Sequence, residues 1–99
     1  MNFGLTDMQI KQISNILEVA GVQKAAIFGS RAKGNWRNNS DIDIAVWGQE
    51  INLGKLSAQL EELPMPYSFD VIDCRNITSP ALREHIDRVG VVFYKRGAL

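Results

Sequence analysis

The residues best suited to chemistry in this 99-residue chain are carboxylates that follow a Gly-Ser pair at a set distance. Gly29-Ser30 is followed, after ten residues, by Asp41-Ile42-Asp43. Because successive side chains of a β-strand alternate between its faces, Asp41 and Asp43 share one face of a strand. Two carboxylates about 4 Å apart repel by about 4 kcal/mol at an effective dielectric constant near 20. The pair therefore indicates a cation, and Mg²⁺ is favoured because it takes oxygen ligands together with substrate phosphates.

A third carboxylate comes from a later apolar segment, residues 68–73. Asp70 and Asp73 are three residues apart and face opposite sides of a strand, so only one of them can join the first pair. Asp70 lies between Phe69 and Val71, where a carboxylate is costly unless a cation or several donors meet it. We therefore assign Asp70 to the site and expect Asp73 to be a surface or turn residue.

The elements that must position these residues alternate between helices and strands. Helices are predicted after cap residues Thr6, Asn52 and Ser79. A turn or short helix is predicted at residues 29–34, followed by a polar loop at 35–40. Strands are predicted at Val22 to Phe28, Asp41 to Trp47, Tyr67 to Cys74 and Val91 to Tyr94. This order predicts an α/β fold in which helices pack on a short mixed sheet of about four strands.

Composition limits the protein to a few classes. Ninety-nine residues predict a single domain, residues 1–99, with little surface for a substrate cleft of its own. Eleven basic and eleven acidic residues cancel, so direct nucleic-acid binding is not expected. No apolar run approaches the roughly 20 residues that a membrane span needs. The single Cys74 and the absence of a signal-peptide pattern predict a cytoplasmic protein.

The complete pattern resembles the DNA polymerase β-type nucleotidyltransferase superfamily. Gly29-Ser30, ten residues, Asp41-x-Asp43 and a third acid at Asp70 match its motif, and the likeness covers nearly the whole chain. Within the superfamily, the chain resembles the minimal nucleotidyltransferases, single-domain proteins commonly encoded beside a helical HEPN partner. The resemblance implies the polymerase β-like fold.

The resemblance also implies roles for these residues. Gly29 and Ser30 would hold the triphosphate of a nucleotide. Asp41 and Asp43 would bind divalent metal, and Asp70 would bind one metal and activate the attacking hydroxyl. Two Mg²⁺ ions and three carboxylates would stabilise charge on the entering and leaving oxygens.

The function implied by the resemblance is transfer of AMP from ATP, with loss of pyrophosphate. The acceptor would be a tyrosine of a HEPN-type toxin encoded nearby, which makes this chain the antitoxin of a hetero-oligomeric pair. An alternative is a non-enzymatic antitoxin that neutralises its partner by binding alone. Antibiotic or nucleic-acid nucleotidyl transfer is disfavoured by the small size and neutral charge. Nucleotide preference, the number of AMP units and the stoichiometry are left open.

Five other residues have competing interpretations. Arg31, or else Lys33, could add a charged donor to the phosphates, although solvated charges on a turn are ordinary. Trp36 could stack on a base or partner, or fold back on its own chain. We expect His85 to be a surface residue and Cys74 to fill apolar space.

Overall fold

The fold is described by a computed structural model covering residues 3–37 and 39–97. Its helices are α1 (Asp7–Val19), α2 (Gly29–Lys33), α3 (Leu53–Glu61) and α4 (Pro80–Val89), and its strands are β1 (Lys24–Phe28), β2 (Ile42–Trp47), β3 (Phe69–Asp73) and β4 (Val91–Lys95). A 3₁₀ turn, Cys74–Asn76, follows β3. The predicted α/β class is confirmed. None of the helices in these residues has the length and apolar character needed to cross a membrane.

The strands form one mixed sheet in the order β3-β2-β1-β4. β1 is antiparallel to both β2 and β4, whereas β2 and β3 are parallel and are joined through α3. Three predicted strands were too long at their ends. The Val22 N–H donates to the Leu17 carbonyl at the end of α1, and Cys74 already belongs to the 3₁₀ turn.

The helices divide between the two faces of the sheet. α1 and α3 contribute Ile13, Leu17, Leu56 and Leu60 to the main core, which also contains Ile27 and Ile44 of the sheet. The opposite face carries a smaller cluster in which Ile86 of α4 packs with Phe28, Ala45 and Cys74. Cys74 is buried as expected, and burial raises the pKa of its thiol to about 11. Asp43 and Asp70 lie on this second face, since they pair in register with Phe28.

The predicted helix caps are present. Thr6 and Gln9 form a capping box at the start of α1, since each side chain bonds the other residue's backbone N–H. The Asn52 side chain accepts from the backbone N–H of Lys55, and the Ser79 hydroxyl accepts from that of Leu82. Such caps satisfy N–H groups that have no partner within the helix, which is why these polar residues start α3 and α4.

A buried arginine ties the site to its surroundings. Arg31, on α2, is 1% exposed, and its guanidinium donates to the carbonyls of Phe3 at 2.8 Å, Ser40 at 2.8 Å and Asp41 at 3.3 Å. It also lies 4.5 Å from the centre of the Tyr67 ring. The sequence placed Arg31 among the phosphate-binding residues, but these carbonyls occupy its donors. In this structure Arg31 holds three segments of chain together.

Trp36 takes the second of its two predicted roles, folding back on its own chain. A Cβ atom on Gly4 would lie 2.5 Å from Trp36 Nε1 and 2.8 Å from Arg31 Nη1. The indole therefore lies against the Gly4 backbone beside the guanidinium. It helps to cover the arginine.

We expect Arg31→Met to lower the free energy of unfolding by about 2–4 kcal/mol, because carbonyls of Phe3 and Ser40 would lose their charged donors. Lys33→Met is the matched control, since Lys33 lies two residues away on the same helix and is exposed. Its effect should stay within about 0.5 kcal/mol. Urea unfolding measures both. Equal stability of the two variants would contradict a stabilising role for the hydrogen bonds of Arg31.

Candidate functional site

Two of the predicted site carboxylates lie side by side. The parallel register of β2 and β3 pairs Asp43 with Asp70, and neighbouring strands are about 4.8 Å apart. Residues paired in a sheet point to the same face, which here is the face covered by α4. Local alternation and one strand pairing are therefore enough to bring residues 43 and 70 together.

The third carboxylate is near these two but is not gathered with them. Asp41 lies one residue before β2 begins, and its side chain is exposed. Within the described residues, no three His, Cys, Asp or Glu side chains lie close enough together to hold a metal ion. Like charges favour separated side chains. The backbone thus places the three acids at one end of the sheet, while their oxygens are not arranged as a ligand set.

The electrostatics of Asp43 show how crowded this end is. The pKa of Asp43 is raised above its ordinary value of 3.8, first by burial and then by the charges of Asp70 and Asp41. His85 and Arg31 oppose the shift. A carboxylate that is half-buried beside two others is stabilised by any cation that reaches it. The chemistry of this donor set suits a divalent metal.

Glycine is required at position 29 because the backbone there lies against the Asp43 carboxylate. Gly29 begins α2 with φ of +73°, in the left-handed region, and a Cβ atom there would overlap Asp43 Oδ2 and lie 3.1 Å from Asp43 Cγ. Phe28, the residue before it, pairs with Asp43 across β1 and β2. The Gly-Ser turn and the Asp43 carboxylate are therefore in direct contact.

Ser30 follows at the start of the short α2. Its carbonyl accepts from the backbone N–H groups of Gly34 at 3.0 Å and Asn35 at 3.2 Å, which closes the turn after the helix. No side chain caps the beginning of α2, because Phe28 stands in the capping position. The Ser30 side chain is partly exposed, and hydroxyl and N–H groups beside a carboxylate cluster suit a metal-bound phosphate.

Asp73 differs from the sequence expectation in one respect. It is a turn residue, but it is 7% exposed and so is not on the surface. Its carboxylate accepts from the Arg75 backbone N–H at 3.0 Å and from Asn76 Nδ2 at 3.2 Å, capping the 3₁₀ turn. The alternation that turns Asp70 toward α4 turns Asp73 away from it.

Sequence reasoning missed the position of His85. Instead of lying on the surface, its ring packs edge-to-face on Phe28, with centroids 6.1 Å apart and planes at 83°. His85 is partly buried, and its charge lowers the pKa of Asp43. One signal was available: His85 directly precedes Ile86, the residue that anchors α4 in the core.

We expect Gly29→Ala to destabilise the chain more than Gly34→Ala. Both positions have positive φ, +73° and +85°, but a Cβ on Gly34 would meet nothing within 4 Å. Gly34→Ala should therefore cost only the left-handed backbone, about 1–2 kcal/mol. Gly29→Ala should cost about 1–3 kcal/mol more, because Asp43 must move. Equal losses in urea unfolding would show that the contact with Asp43 is not tight.

We expect Asp43→Asn, without metal, to be at least as stable as the parent at pH 7. Because the pKa of Asp43 is raised in the folded state, the protonated Asp43 carboxyl stabilises the fold. This contribution is fully present below the ordinary pKa of 3.8 and is lost as pH rises through the folded-state pKa. The advantage of the variant should therefore shrink as pH falls toward that value. Thermal unfolding at several pH values measures it, with Glu50→Gln, an exposed acid outside the cluster, as control. A clear loss at pH 7 would instead give Asp43 a structural hydrogen-bonding role.

Comparison with known proteins places this geometry in a family. The family described as "Polymerase beta, Nucleotidyltransferase" matches residues 11–98. No curated protein sequence matches the chain.

Several solved structures share the fold, among them the following three. A toxin-antitoxin structure with AMP-PNP has 26% identity and a TM-score of 0.73, covering 88% of this chain and 74% of its own. A protein assigned as a minimal nucleotidyltransferase has 26% identity and a TM-score of 0.73, covering 92% and 95%. A tri-AMPylated Shewanella oneidensis HEPN toxin in complex with MNT antitoxin has 22% identity and a TM-score of 0.67, covering 89% and 71%; at that identity the likeness is one of fold. By the extent of the family match, this chain belongs to the polymerase β nucleotidyltransferase family.

Proposed function

We propose that this chain is a minimal nucleotidyltransferase that transfers AMP from ATP to a tyrosine of a HEPN-type toxin, and thereby acts as its antitoxin. The observation that carries the proposal is the in-register pair Asp43 and Asp70 beside the Gly29-Ser30 turn. A metal-nucleotide site needs carboxylates beside a turn that can bind phosphate, and the contact of the Gly-Ser turn with Asp43 supports that arrangement.

The residues that would hold metal are Asp41, Asp43 and Asp70. The raised pKa of Asp43 and the exposure of the other two fit a site that binds cations from solution. Two Mg²⁺ ions there would neutralise charge on the entering and leaving oxygens. Binding would require Asp41 to turn toward the other two carboxylates, a rotation that an exposed side chain makes freely.

The reaction assigns one role to each part of the site. Gly29 lets the backbone approach the triphosphate, and Ser30 donates to it. The acceptor hydroxyl gives its proton to the Asp70 carboxylate as its oxygen attacks the α-phosphorus of ATP. A new phosphorus–oxygen bond forms, the bond from the α-phosphorus to the α,β-bridging oxygen breaks, and pyrophosphate leaves with that electron pair. Arg31 keeps Asp41 in place through its backbone carbonyl.

Exposure of the site supports a macromolecular acceptor. Asp41 and Asp70 are both open to solvent, so a second protein can reach the carboxylates directly. Structures of similar fold are toxin-antitoxin complexes, one with AMP-PNP and one with a tri-AMPylated HEPN toxin. We therefore propose a hetero-oligomer in which the partner completes the cleft. The buried, unpaired thiol of Cys74 fits a reducing cytoplasm.

The alternative is a non-enzymatic antitoxin that neutralises its partner by binding alone. The two functions differ in one respect that can be measured, since catalysis requires Asp70 and simple binding does not.

The two aspartates of β3 provide the test. With Mg²⁺, labelled ATP and the helical protein encoded beside this gene, we expect Asp70→Asn to lower AMP transfer by at least about 100-fold. Asp73→Asn is the matched control: it faces away from the site, and its folded fraction should transfer at a rate close to the parent's. Transfer that survives Asp70→Asn, or a parent that never labels its partner while still neutralising it, would favour binding alone.

A further inference from the structure

His85 lies at the edge of the proposed nucleotide site. It comes from α4, and its ring stands edge-on to Phe28 at 6.1 Å between centroids. Phe28 is the last residue of β1 and directly precedes the Gly29-Ser30 turn. The imidazole is partly exposed, so one edge is available to a ligand.

The strand register gives the direction of His85 relative to the carboxylates. Asp70, Asp43 and Phe28 are consecutive partners across β3, β2 and β1, so they form a row on one face of the sheet. His85 stands over the Phe28 end of that row, and Asp70 is at the other end. The imidazole is therefore on the side of the Gly-Ser turn, where phosphates would lie, and away from the proposed general base.

The neighbours of His85 leave its ring free for a ligand. Glu84 and Arg88, on the same helix, bond to each other at 3.0 Å. Within residues 3–37 and 39–97, the imidazole has no hydrogen bond or ion pair. Arg31, the cation expected to reach the phosphates, is buried on backbone carbonyls. The donor that the sequence assigned to Arg31 is therefore missing, and Lys33, the other candidate, lies exposed at the end of α2.

We propose that His85 supplies this donor, with an imidazole N–H that hydrogen-bonds a β- or γ-phosphate oxygen of the nucleotide held at Gly29-Ser30. The inference rests on the proposed function and adds a phosphate-binding residue to it. His85 forms and breaks no covalent bond in this role. It holds the pyrophosphate portion of the nucleotide on the side of Asp43 opposite the acceptor.

The test compares nucleotides that differ in their phosphates. By calorimetric titration, His85→Ala should weaken MgATP binding about 10-fold, the effect of losing one hydrogen bond to a charged group. AMP, which lacks the β- and γ-phosphates, should bind the variant and the parent equally. His85→Gln retains an N–H donor and should recover part of the affinity. Arg88→Gln removes an exposed charge from the same helix and should change neither value.

Each other result overturns the inference in a recognisable way. If His85→Ala binds MgATP as tightly as the parent, His85 is not a phosphate ligand. If the parent also transfers AMP, the proposed function stands. If the variant loses affinity for ATP and AMP equally, His85 stabilises the fold or contacts the adenine base instead of the phosphates. If the parent does not bind MgATP at all, both proposals fail. Should the variants unfold, ¹⁵N imidazole resonances of the parent decide: they should shift with MgATP and not with AMP.

Discussion

Parallel pairing of β2 with β3 is the constraint on which the site depends. Asp43 and Asp70 are 27 positions apart in the chain, yet the pairing makes them neighbours on one face. A shift of one residue in that register would turn every β3 side chain to the other face and replace Asp70 by an apolar neighbour. Val71 in the main core and Ile72 in the smaller cluster hold the register, since each fits only one face. Core packing thus determines which acid meets Asp43.

A second set of contacts keeps the turn and the acids at a fixed separation. Gly29 lies directly against the Asp43 carboxylate, and Arg31, two residues later, binds the carbonyl of Asp41. The same short helix therefore touches both acids of the Asp-x-Asp motif. A guanidinium is suited to this task because its planar, fixed array of donors serves several carbonyls at once.

Most of the fold could be predicted because its signals are local. The caps at Thr6, Asn52 and Ser79 and the alternation around Asp43 depend on residues within a few positions of one another. The placement of Asp70, and not Asp73, beside Asp43 also matches the expectation, since the cost of a carboxylate among apolar residues can be recognised without a structure.

The errors concern contacts that are distant in sequence. Arg31 bonds the carbonyl of Phe3, 28 residues away, and no local pattern indicates that partner. His85 is flanked by charged residues, and only the placement of α4 over β1 brings it to Phe28. Each of these depends on how elements pack.

The crossover through α3 also affects when the site can exist. Parallel strands cannot be joined by a tight turn, so residues 48–68 must fold back and dock before β3 reaches β2. The pairing of β1 with β2 can form earlier, because its partners are 15 to 23 positions apart whereas those of β2 and β3 are 27 apart. A nascent chain that has emerged only as far as β2 already contains the Gly-Ser turn and two acids, but it lacks Asp70. The proposed site is therefore complete only after β3 has joined the sheet.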